Sequence, residues 1–148
     1  MHTAKIGYYA ENISFRLKNK KLITDWINNV ILFEKRKLLS ISFIFCDDEY
    51  LSKLNQTYLK HKTLTDIITF DYNENDNISG DIFISIERVK ENASVFSNSF
   101  TTELHRVMIH GVLHLVGYKD KNISEKLTMR AMEDKCLLLF SKVVSRET

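Results

Sequence analysis

ELHRVMIHGVLHLVGYKD, running from Glu103 to Asp120, is the stretch around which the rest of the chain is arranged. Leu104, Met108, Val112, Leu115 and Val116 spread over most of the circumference when residues turn by 100° each, more than a one-sided surface helix carries. The spacing predicts a helix over Thr102–Val116, buried on most sides. Gly117 follows the last apolar residues and suits the left-handed position that stops a helix. Glu103, Val107, His110 and His114 share one stripe of this helix, whereas His105 falls roughly opposite. A helix of this kind needs apolar layers around it.

The remaining sequence supplies those layers. Ile6–Ala10, Leu38–Cys46 (LLSISFIFC), Asp66–Tyr72 (DIITFDY) and Ser79–Ile86 (SGDIFISI) read as strands, rich in β-branched and aromatic residues. The polar turn NENDN joins the last two as a hairpin. Lys20–Lys35 carries Leu22, Ile23, Trp26, Ile27, Val30 and Ile31 at spacings of three and four, the mark of an amphipathic helix. Asp47 and Asp48 look like the N-cap of a helix running through Leu59, with Leu51, Leu54 and Tyr58 on one face. Further helices are expected over Glu87–Ser97 and Ser124–Val144. The order predicts an α+β fold: a small, mostly covered β-sheet of about four strands, five or so helices, and a metal site on the buried helix.

Composition sets the outer bounds. At 148 residues, 44% of them hydrophobic, the chain reads as a single domain over 1–148 that folds without disulfides or a structural metal. No run of about 18 apolar residues occurs, so no transmembrane helix is expected. The start, MHTAKIGYYAEN, has no apolar signal region, and Cys46 and Cys136 sit far apart in apolar settings. Both features fit buried free thiols in a reducing cytoplasm. With 21 basic and 19 acidic residues the net charge is +2, so non-specific nucleic-acid binding is not written in the composition.

His110 and His114 lie one helical turn apart, which lets two imidazoles converge on one cation. The turn at Gly117 brings Asp120 back toward them as a third donor, leaving one tetrahedral position for a reactant. The bare spacing speaks sooner for two helix histidines satisfied by carbonyls or carboxylates, and the glycine stop with its following acid brings the metal level with that reading. Gly111 stands where an HExxH peptidase carries its glutamate base, which argues against a zinc peptidase.

HGVLHLVGYKD resembles the signature of the YbeY family, single-strand-specific metal-dependent endoribonucleases of bacteria. The similarity extends to LNQTYLKHKTLTDIITF, to SGDIFIS, to ELHRVMIHG and to the Met-rich, Glu-containing last helix, in the family's order. The resemblance implies a zinc-bound nuclease, with one Zn2+ or another divalent metal on His110, His114 and Asp120. It further implies single-stranded and ribosomal RNA as substrate, the small ribosomal subunit and its proteins as partners, and maturation and quality control of small-subunit (16S) rRNA as the setting. Asp120 stands where the family has a third histidine, and Leu59 where it has an arginine. An anionic donor weakens the Lewis acid and favours oxygen-preferring metals somewhat more. Lys60 and Lys62 stand near Leu59 as phosphate contacts, without the bidentate fork of an arginine.

The chemistry expected is metal-assisted hydrolysis of a phosphodiester, in which the cation polarises a phosphoryl oxygen and holds the attacking water. Asp66, in a Thr65–Asp66 pair resembling the family's, is the candidate cleft carboxylate, with capping of the turn before its strand as the simpler role. Arg106, beside the donor stripe, is the candidate phosphate contact, with an ion pair as the plainer role. Glu103 is expected to bond locally near the helix N-terminus. His61 has RNA contact against a solvated loop, and Tyr118 has base stacking against packing. A protein base and the RNA 2′-hydroxyl remain alternative starting points. Two other functions compete: a ribosome-assembly binding module with weak or no cleavage, and a small-molecule metal hydrolase with a narrow pocket.

Overall fold

The computed structural model describes residues 5–59 and 65–147. Within them, β1 (Ile6–Ala10), β2 (Lys37–Cys46), β3 (Ile67–Asp71) and β4 (Asn77–Ser85) form one sheet in the order β1-β2-β4-β3. β1 runs parallel to β2, with Ile6 beside Ile41, and β2 runs parallel to β4, with Phe43 beside Ile82. Parallel neighbours need a crossover, and α1 (Lys20–Phe33) provides the one between β1 and β2. β3 and β4 pair antiparallel across the NENDN turn, with Thr69 opposite Ile82, so the expected hairpin forms.

Side-chain alternation on the two central strands builds the main core. Ile41, Phe43 and Phe45 of β2 and Ile78, Ile82 and Ile84 of β4 are all buried. They share one cluster with residues of α1, α3 (Ile86–Val95), α4 (Phe100–Val116) and α5 (Ile123–Glu147). A smaller cluster, Cys46, Leu51 and Ile68 with Tyr50, Leu54, Phe70 and Phe83 around it, lies under α2 (Asp48–Leu54). Eleven of the seventeen residues of α4 are buried, among them Leu104, Met108, Val112 and Leu115. That all-round burial is what the apolar circumference predicted.

Helix starts follow from side-chain caps. Asp47 accepts from the Tyr50 amide, Ser85 from that of Arg88, and Ser99 from that of Thr102. One stretch departs from expectation. The helix after Asp47 ends at Leu54, and Asn55–Leu59 continue as a wider π turn. The wider turn breaks the i, i+4 phase, so Leu51 is buried while Tyr58 is exposed and meets Phe70 edge-on at 5.9 Å.

Cys46 and Cys136 are both buried and unbridged. Burial pushes their thiols up to about 12 and about 11, which keeps them unreactive. Among the described residues, no helix is long and apolar enough to cross a membrane.

Gly80 marks the closest approach between sheet and helix. A Cβ there would stand 2.5 Å from the Phe70 carbonyl oxygen and 2.8 Å from a Leu115 methyl. The carbonyl belongs to a paired strand and cannot rotate away alone. Gly80→Ala is therefore expected to destabilise the fold by about 1–3 kcal/mol. A lowered urea midpoint at unchanged m-value would register it.

Candidate metal centre and cleft

α4 carries two of the three donors, and its C-terminus positions the third. The Tyr118 amide donates to the Leu113 carbonyl and the Gly117 amide to that of His114, a complete Schellman closure. Gly117 takes φ 126°, as its predicted role as helix stop requires. The chain then doubles back, and Asp120 faces the two rings.

The donor geometry is compact. Nε2 of His110 and Nε2 of His114 each lie 3.3 Å from Oδ2 of Asp120. Donors about 2.0–2.1 Å from a tetrahedral ion stand about 3.3–3.4 Å apart, so both spacings match a tetrahedral edge. The three side chains are 20%, 31% and 38% exposed, which leaves one side of the set open to solvent.

Glu133, from α5, completes the arrangement and was not singled out from the sequence. Its Oε2 accepts from Nδ1 of His110 at 2.5 Å. A carboxylate only accepts, so Nδ1 carries a proton and Nε2 is the ring nitrogen turned toward Asp120. Such a carboxylate–histidine pair fixes both tautomer and ring orientation for a metal. Burial works against charge on His110, but the Glu133 hydrogen bond and the Glu133, Asp120 and Asp66 charges outweigh it and raise its pKa. The signal for Glu133 was readable: it interrupts an apolar stripe of Met129, Cys136 and Phe140, all buried.

Arg106 holds Glu133 in turn. Its Nη1 donates to Glu133 Oε1 at 2.9 Å and its Nη2 to Asp134 Oδ1 at 2.7 Å. Of the two roles open to Arg106, the structure displays the ion pair. Asp66 lines the same cleft, where it accepts from Asn92 Nδ2 at 3.3 Å. Its pKa is raised by burial, partly offset by the nearby His110. The turn before β3 is held by Thr65, whose hydroxyl donates to the Ile67 carbonyl.

The other candidates fall outside the centre. Glu103 bonds locally, accepting from Asn98 at 3.3 Å in the first turn of α4. His105 packs between Trp26 and Phe140 with ring centroids 6.0 and 4.9 Å away. Tyr118 donates to Glu34 rather than facing the cleft. Lys60, His61 and Lys62 lie outside the described residues, as does the side chain of Leu59. Gly111 is pressed onto the sheet, where a Cβ would come within 2.9 Å of Ile82. A glutamate at this position would be driven into the core.

His110 and Asp120 open into a cleft of about 370 Å³. Asp66 and Asn92, His110 and Glu103 of α4, and Lys126, Met129 and Arg130 of α5 line it.

Fold and cleft together define an α+β protein with a mononuclear candidate metal centre, three donors and an open side. Comparison with known proteins gives the family. The sequence profile described as Endoribonuclease YbeY matches residues 6–141, and the chain belongs to that family. It is 52% identical over 146 residues to the Endoribonuclease YbeY of Amoebophilus asiaticus, covering 98% of this chain and 99% of that one. It is 53% identical over 128 residues to the Endoribonuclease YbeY of Flavobacterium psychrophilum, covering 86% and 91%. The solution structure of TM1509 from Thermotoga maritima superposes with a TM-score of 0.67 at 26% identity, over 96% of this chain and 93% of that one.

Proposed function

We propose that this chain is a metal-dependent endoribonuclease that hydrolyses single-stranded RNA, with the maturation of small-subunit rRNA as its setting. The family supplies the reaction class, and the two 3.3 Å Nε2–Oδ2 spacings, with Glu133 holding His110 from behind, are the observation that carries the metal dependence. Their tetrahedral match supports zinc as the resident ion. A divalent cation bound there supplies Lewis acidity toward a phosphoryl oxygen and the attacking water.

The chain's own residues do the rest. His110, His114 and Asp120 hold the cation and keep one side free. Asp66, which lines the cleft outside the donor set, takes a proton from the attacking group in this reading. Arg106 acts through Glu133, whose orientation it fixes. One domain suffices for this site, and the buried free thiols are in keeping with a cytoplasmic location.

Cleavage of a labelled single-stranded RNA tests the reading. Zinc-loaded protein is expected to cut it, and His114→Ala is expected to lose both bound metal and cleavage. Equal residual cleavage by the two proteins would trace the activity to a contaminant and leave the binding-module function in its place.

A further inference from the structure

The cleft is rich in acid for a site that must receive a polyanion. Asp66, Glu103, Asp120 and Glu133 line it, against Arg106, Lys126 and Arg130. Arg106 is already engaged by two carboxylates at 2.9 and 2.7 Å and is 13% exposed. It cannot turn to a phosphate without releasing Glu133. Lys126 and Arg130 are different. They stand four apart on α5, hence on one face, and both are exposed. Arg130 forms a loose ion pair with Glu133, 3.7 Å apart and beyond hydrogen-bond range, so its exposed fork can turn to an incoming acceptor at little cost. Their separation of about 6 Å along the helix is comparable to one step between successive phosphates of an extended strand. Phe96, at the end of α3, also lines the cleft and is 57% exposed. An exposed aromatic and a basic pair lining one groove are the elements that grip single-stranded nucleic acid, the pair taking phosphates and the ring a base.

We infer that Lys126 and Arg130 are the phosphate grip of this site and that Phe96 is its base-stacking platform. The inference rests on the endoribonuclease reading above. The strand enters between α3 and α5, its phosphates on the α5 pair, its scissile bond over the open side of the His110–His114–Asp120 set. Stacking on one ring is tolerant of base identity, so the grip selects unpaired strands rather than a sequence.

The test uses the full chain loaded with zinc and a fluorescein-labelled single-stranded RNA. Lys126→Gln/Arg130→Gln together are expected to raise KM about ten-fold or more, with most of the loss in kcat/KM carried by KM. The slope of log affinity against log salt should fall by about 1.4, or about 0.7 per contact. Phe96→Ala is expected to weaken RNA binding about five-fold or more without changing that slope, and Phe96→Tyr to restore it. Zinc content should match the unmodified protein in every variant. An unchanged KM and salt slope in the double variant would overturn the grip, and so would loss of zinc from it. If the unmodified protein neither binds nor cuts the RNA, the endoribonuclease reading itself falls and the grip with it.

Discussion

Replacing Glu133 by alanine is expected to cost about 3–5 kcal/mol of stability and about 10- to 100-fold in metal affinity. The two losses have separate origins. Glu133 is 4% exposed and sits between a guanidinium and an imidazole, each of which relies on it. Without it, Arg106 keeps only Asp134 among the described residues, where its Nε already lacks a partner. A guanidinium so little exposed, deprived of half its compensation, is the costly case. The affinity loss comes from His110, whose Nδ1–H would have no acceptor and whose ring would be free to turn or to exchange tautomers. Urea denaturation of the metal-free protein reads the first loss, and zinc competition against a chelator reads the second. Glu133→Gln keeps the volume and separates them: more of the stability should survive, while affinity still drops. Unaltered affinity in Glu133→Ala would mean that packing alone orients His110.

The second large effect is an acid sensitivity centred on His105. Burial between Trp26 and Phe140 lowers its pKa from 6.5 to about 4, so the folded protein favours the neutral ring. The unfolded chain binds that proton more readily. The contribution is thus complete above pH 6.5 and disappears as the pH falls toward 4, amounting to about 3 kcal/mol over that interval. Urea midpoints measured from pH 7 to pH 4 should decline more steeply for the natural protein than for His105→Leu. Carboxylates titrate in both proteins and cancel in the comparison. Parallel declines would place the acid sensitivity elsewhere.

Much of this architecture was legible because it is local. The apolar circumference of α4, the Gly117 stop, the NENDN hairpin and the Asp47 cap each depend on residues within a turn or two of one another. The clustering of the candidate donors was legible for the same reason, since His110, His114 and Asp120 lie within eleven positions. The parallel pairing of β1, β2 and β4 depends on how helices cover the sheet, and no strand carries that information alone. Glu133 escaped notice because its partners are 23 and 27 positions away, although a lone acid on the Met129–Cys136–Phe140 stripe marked the place. Arg106 shows the opposite limit. Its position beside the donors was readable, but the choice between phosphate and carboxylate was made by α5.

The three donors are not anchored alike. Both rings ride on α4, which touches the sheet and the α1, α3 and α5 helices, whereas Asp120 belongs to the connector 117–122 beyond the Schellman closure. Shifting the imidazoles means repacking the interior; shifting the carboxylate means a small torsional adjustment in a surface bend. A cation held by these three residues would therefore meet two stiff donors and one compliant one. Were ions of differing radius to bind there, the aspartate arm would adjust to them more readily than the rings would.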